Sequence, residues 1–171
     1  MPKNRRKRNF MIQILAKIML WIAVVAWSVW FGGLMYELFV ITPLWSANLP
    51  SSAIEWNSRP NFLLIPTPFY APVAVTTILS SLLGLIFNWK SNNRRIWLIL
   101  STVSAILTLG FTLIYFFPKN EVLFHNQNLG LSGEEITAIG NAWIRANWIR
   151  VGMMIVGFFA ALKAFSLPKS D

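Results

Sequence analysis

NAWIRANWIRVGMMIVGFFAALKAF, residues 141–165, carries two arginines straight into an otherwise apolar run. A run of this length and composition crosses the ~30 Å hydrocarbon core of a bilayer as a helix. Charge in hydrocarbon is costly, so each arginine must reach a headgroup layer or find a partner inside a bundle. Helical periodicity separates the two. At ~100° per residue, Arg150 shares a stripe with Trp143, Asn147, Gly157, Ala161 and Ala164, the small-residue face that membrane helices turn toward one another. Arg145 lies about 140° away, with Gly152, Val156, Phe159 and Lys163. About 27 Å of helix separates Arg145 from Lys163, so these two cations are expected to snorkel to opposite interfaces and mark the ends of the span.

The rest of the chain has the same character. Of its 171 residues 56% are hydrophobic and 12% charged, and the mean hydropathy is +0.55, the balance of an integral membrane protein whose first partner is the lipid bilayer. There is no cysteine, which excludes disulfides, thiolate metal sites and cysteine nucleophiles. The one histidine, His125, cannot build a multi-imidazole metal or haem site and reads as a solvated loop residue. The net charge of +9 follows membrane topology rather than covering a soluble surface, so no nucleic acid is expected as partner.

Outward from residues 141–165, the sequence predicts an all-α fold: a single domain, 1–171, of four membrane-spanning helices at about 11–43, 71–89, 96–117 and 133–166. The basic opening MPKNRRKRNF precedes an apolar run too long for a signal peptide, so the first helix is read as uncleaved. Lys3, Arg5, Arg6, Lys7, Arg8, Lys17, Lys90, Arg94, Arg95, Lys163 and Lys169 fall on one side, while Arg59, Lys119, Arg145 and Arg150 fall on the other half. The positive-inside rule then predicts both termini in the cytoplasm, and the protein is expected in the cytoplasmic membrane. Residues 46–70, with Pro50, Pro60, Pro66 and Pro68, cannot form a continuous helix and are expected at the interface or folded over the outer mouth of the bundle. The second outer loop is expected to break at Pro118 and restart at Ser132, where SGEE has the spacing of a capping box with Glu135.

Arg150 needs a partner, and Glu37 in FGGLMYELFVITPLW is the one carboxylate within an apolar run. Glu37 shares its helical face with Gly33, Trp30, Ala26 and Ala23. An ion pair between Glu37 and Arg150 is therefore predicted inside the bundle, with Asn147 and Tyr36 completing its hydrogen bonds. Polar stripes on the second helix (Thr77, Ser81, Gly84, Asn88) and the third (Ser101, Ala105, Thr108, Thr112) read as interhelical hydrogen bonding. An ionisable pair opening toward an aromatic outer mouth suits a hydrophobic small molecule as ligand, whereas a buried pair also serves to fix helix register in a non-catalytic membrane subunit or an assembly or transport protein.

Three segments carry a family resemblance. GGLMYELFVITPLW closes the first helix, PKNEVLF follows the third, and WIRANWIR enters the fourth. In that order and over nearly the full chain, they resemble the anthrone-oxygenase-like family of small four-helix membrane proteins, most of whose bacterial members have no assigned activity. Pro118 and Asn120 are similar to its proline and asparagine pair, and Trp143, Asn147 and Arg150 to its tryptophan, asparagine or histidine, and arginine. Fungal members are associated with oxidation of an anthrone to an anthraquinone without metal or flavin, so the resemblance implies no cofactor. It implies Glu37 as a base that forms an enolate-like carbanion and Arg150 as partner of the developing oxyanion, with Tyr36, Asn120, Trp143 and Asn147 on the substrate. Asn147 stands where some members have a histidine, and asparagine cannot take a proton.

Overall fold

The computed structural model describes residues 2–58, 67–125 and 130–168. Its helices are α1 (Pro2–Tyr36), α2 (Thr42–Ser46), α3 (Ser51–Asn57), α4 (Thr67–Phe87), α5 (Asn92–Phe111), α6 (Phe117–Asn120) and α7 (Gly133–Ser166). Among the described residues three π-helical segments interrupt this order, Glu37–Ile41, Thr112–Phe116 and Glu121–His125. Among the described residues four stretches are long and apolar enough to cross a membrane: Phe10–Ser46, Pro68–Phe87, Asn92–Phe124 and Gly133–Ser166. At 1.5 Å per residue the first exceeds the hydrocarbon thickness, so its ends project beyond it.

In α1 the residues Ala16, Leu20, Ala23, Trp27, Trp30 and Leu34 recur every three or four positions, and all are buried. The intervening Ile14, Ile18, Ile22, Val25 and Val29 are exposed. An apolar exterior around a tighter interior is what a lipid solvent selects. The interior of the bundle is correspondingly small and polar: Thr77, Ser81, Ser101 and Thr108 on α4 and α5 are fully buried, as are Ala160, Ala161 and Ala164 on α7.

Neighbouring spans run antiparallel, in the order α1, α4, α5, α7 around the bundle. Glycines set the closest approaches. A Cβ on Gly157 of α7 would run into the ring of Trp27 and come within 2.9 Å of Ser104 Cβ, and one on Gly33 would come within 2.7 Å of the Phe69 ring. Trp27 is fully buried, and its indole N–H donates to Ser101 Oγ at 2.9 Å, joining α1 to α5. The remaining stripe hydroxyls behave differently from the sequence expectation of interhelical bonding. Thr77 donates to Val73 O and Thr112 to Thr108 O, each back along its own helix, while among the described residues Ser81 Oγ and Thr108 Oγ1 have no partner. A hydroxyl one turn below a carbonyl finds that acceptor without waiting for a neighbour.

One end of the bundle is closed by the hairpin between α4 and α5. There Arg94 donates its Nε–H to Leu167 O at 3.0 Å and Nη1 to Asn88 Oδ1 at 3.2 Å, satisfying a carbonyl at the C-terminus of α7. The other end is capped by α2, α3 and the residues around α6. Trp45, Ala53 and Trp56 form one core with Phe116, Leu123, Trp143 and Ala146. The stretch after the first span thus folds over the bundle mouth, as its prolines predict, although Arg59, Pro60 and Pro66 lie outside the described residues, as does the side chain of His125.

Pro118 does not break the chain, contrary to the sequence expectation. The third span continues through a π segment into α6, where Pro118 sits in the first turn and its missing N–H goes unneeded. Pro43 does the same after the π segment at Glu37. The predicted restart of the fourth helix is present: Glu135 N–H donates to Ser132 Oγ at 3.3 Å and Ser132 N–H to Glu135 Oε2 at 2.8 Å, a complete capping box.

Candidate functional site

Glu37 opens the first π segment, where the backbone winds wider than an α-helix. Its carbonyl accepts both from the Thr42 N–H, the i to i+5 bond of that segment, and from the Thr42 hydroxyl at 2.9 Å. This double bond to one carbonyl fixes the backbone that presents the carboxylate. From α7, Arg150 Nη2 donates to Glu37 Oε1 at 3.1 Å, so the ion pair between the first and last spans is formed. Both side chains are mostly buried, at 18% exposure for Glu37 and 10% for Arg150.

Arg150 is held from three further directions. Its Nε–H donates to Asn147 Oδ1 at 2.9 Å, one turn earlier on the same face. The guanidinium lies 4.4 Å from the centre of the Phe116 ring and 5.7 Å from that of Trp143, within cation–π range of both. Phe116 is the last residue of the second π segment. Two π segments in different spans therefore each deliver a side chain to the same arginine. Trp143 and Phe116 also pack edge to face, with ring centres 5.2 Å apart, and Trp45 packs against Trp143 in the same manner at 5.2 Å.

Asn147 is fully buried, and because its oxygen accepts from Arg150 its Nδ2 points elsewhere. Among the described residues that amide nitrogen has no hydrogen-bond partner. An orphaned buried donor beside a guanidinium is a ready receptor for an acceptor oxygen. Asn120 Oδ1 accepts from the Trp143 indole N–H at 2.8 Å, which ties α6 to α7 and fixes the tryptophan ring against the arginine.

The structure thus brings together Glu37, Asn147 and Arg150, with Trp143 beside them and Asn120 behind Trp143. It does not bring in Tyr36, which is 60% exposed. One residue before Glu37 means about 100° around the helix, so the two side chains cannot share a face. The phenol at the site belongs to Tyr70, which rises from the start of α4 to interact with the Glu37 carboxylate. Neither Tyr70 nor Phe116 was found from sequence. Periodicity within one helix carries no information on which residue of another span stands opposite. Arg145 is exposed on the outward face of α7, as its stripe with Gly152, Val156, Phe159 and Lys163 predicts.

An apolar hollow of about 390 Å³ opens between α1 and α4 on the lipid-facing side, lined by residues such as Trp21, Val25, Val29, Pro72 and Thr76. None of the ion-pair residues lines it.

The sequence profile of the anthrone oxygenase family matches residues 63–160, a stretch that holds Tyr70, Phe116, Asn120, Trp143, Asn147 and Arg150 but ends short of Glu37. No curated protein and no solved structure shows a significant match to the chain. With more than half of its length matched, and four apolar helices of spanning length, the chain is a multi-pass membrane protein that belongs to the anthrone oxygenase family.

Proposed function

We propose that the chain binds a hydrophobic, oxygen-bearing aromatic molecule at the capped end of the bundle and oxidises it with dioxygen, without metal or flavin. Glu37 takes a proton from an activated C–H of the substrate. The electron pair left behind spreads onto the substrate oxygen, which Arg150 and the Asn147 amide stabilise as it gains charge. The carbanion then adds dioxygen through a new C–O bond, is protonated to a hydroperoxide and loses water, which leaves a second carbonyl. Each methylene consumes one dioxygen and releases one water. Trp143 supplies an aromatic wall, and Asn120 holds that wall in place. Both termini lie in the cytoplasm of a bacterial cell, which puts the capped end at the outer face of the cytoplasmic membrane.

The Asn147 Nδ2, without a partner among the described residues and set beside the Glu37–Arg150 pair, carries this reading, because it is a buried donor free to meet a substrate oxygen next to a guanidinium. Family membership supports it. Purified protein in detergent is given an anthrone, and oxygen uptake and quinone absorbance are followed. Glu37→Gln should abolish turnover while the protein stays folded, with helical content near wild type and an unfolding transition lowered by the loss of the ion pair. Turnover unchanged in that variant would remove the proposal.

A second reading has its own support. The Glu37–Arg150 pair joins the first and last spans and would serve equally as a fixed clamp in a non-catalytic subunit or an assembly or transport protein. Mass spectrometry of co-purifying lipophiles separates the two: a bound aromatic lost in Asn147→Leu supports the ligand site, and its absence from wild type supports the clamp.

A further inference from the structure

Among the described residues the carboxylates gather at one end of the bundle. Glu55 lies in α3, Glu121 in the third π segment, Glu134 and Glu135 in the first turn of α7, and Glu37 below them, all toward the capped mouth. The opposite end, where α1 begins and α7 finishes, is cationic. Lys90, Arg94 and Arg95 occupy its hairpin, and Lys17 and Lys163 stand exposed on the adjoining turns. Lys3, Arg5, Arg6, Lys7 and Arg8 lie on the first turns of α1, ahead of the span that starts at Phe10. Among the described residues this end has no carboxylate.

Two of these cations already have work within the fold. Arg94 holds the end of α7, and Arg95 lies 5.5 Å from the Trp89 ring while donating to Trp89 O. Lys7, Lys17, Lys90 and Lys163 are exposed. We propose that the start of α1, together with Lys90, is a docking surface for the headgroups of anionic phospholipids. The stretch from Lys3 to Arg8 covers about 8 Å of helix, one Debye length at physiological salt, so its charges act on the leaflet surface that α1 has just left. Each basic residue so placed adds to the attraction, and five in six positions make a strong site. A leaflet is the fitting partner because the span itself holds these cations beside it, whereas a soluble polyanion would have to be recruited. The surface is independent of which side of the membrane the termini occupy.

The full chain, purified in a neutral detergent, is mixed with equal amounts of dioleoyl phosphatidylglycerol and dioleoyl phosphatidylcholine, and native mass spectrometry counts the lipids retained. Wild type should retain the anionic lipid about tenfold over the zwitterionic one, a preference that falls with added salt. A variant with Lys3, Arg5, Arg6, Lys7 and Arg8 all replaced by Gln should lose most of that preference, and Lys90→Gln alone should lose a smaller part. The charge-keeping pair Lys3→Arg and Lys7→Arg should leave it intact. Because the measurement is made in detergent, a change of insertion orientation in the variants cannot produce the result. Equal retention by wild type overturns the proposal, as does a preference that survives neutralisation of both regions. Tight binding of a single-stranded oligonucleotide without any lipid preference overturns it too.

Discussion

At the scale of the residue, Arg150 is the side chain on which the capped end of the bundle is organised. It has a carboxylate on one side, an amide on another and two aromatic faces around it. Removing one partner of a buried pair costs more than removing both, since the survivor is left charged and unpaired. Arg150→Leu is therefore expected to destabilise the protein by about 3 kcal/mol, while the double variant Glu37→Gln with Arg150→Leu recovers a substantial part of that loss. Unfolding in mixed detergent micelles, run as a double-mutant cycle, reads the coupling directly; strictly additive losses would mean that the two groups do not interact. The pair and the place of Asn147 were legible in the sequence, because i to i+3 spacing puts Asn147 beside Arg150 whatever the rest of the chain does. Tyr36 was misplaced because a tyrosine adjacent in sequence is a quarter-turn or more away in space.

At the scale of the element, the π segments and the glycines decide what the helices can present. A π segment is one residue wider than the α-helix it interrupts, so it changes the face shown by everything beyond it. Val40 lies in the first such segment and is 44% exposed. Val40→Ala should cost about 0.5 kcal/mol or less. Deleting Val40 should cost about 3 kcal/mol or more, because a rotation of about 100° forces the chain to give up either the Glu37 contact to Arg150 or that of Trp45 to Trp143. Equal small effects of both changes, measured by thermal unfolding, would show that the wider turn is incidental. Glycines of α7 give a second contrast. Gly157→Ala drives a methyl group into the buried Trp27 ring, and should destabilise by about 1–3 kcal/mol and alter tryptophan emission. Gly152 has open space around its Cβ position and faces outward, so Gly152→Ala should be neutral or stabilising by up to about 1 kcal/mol. Small-residue stripes in the sequence marked the inner face of α7 correctly, but they did not say that Trp27 is what fills the notch.

At the scale of the whole molecule, a band of apolar side chains surrounds a core of alanines, hydroxyls and tryptophans, and the ends differ sharply in charge. Ile106, 52% exposed on the middle of α5, lies within that band. Ile106→Arg should weaken membrane insertion of the third span by about 3 kcal/mol, as read by glycosylation mapping of translocon insertion, whereas Thr137→Arg, half-buried near the start of α7, should change insertion by about 0.5 kcal/mol or less. Equal effects at the two positions would contradict the assignment of the apolar band to lipid. The sequence by itself determined the number of spans, which face of α7 turns inward, the capping box at Ser132 and the need of Arg150 for a carboxylate. Those follow from local periodicity and from the cost of charge in hydrocarbon, neither of which depends on the rest of the fold. Only the tertiary structure decided that Tyr70 and Phe116 join the cluster, that the helix runs on through Pro118, and that the donor of Asn147 is left without a partner. Each of these depends on which residues of separate spans stand at the same height, and that register is set by how four helices pack rather than by any one of them.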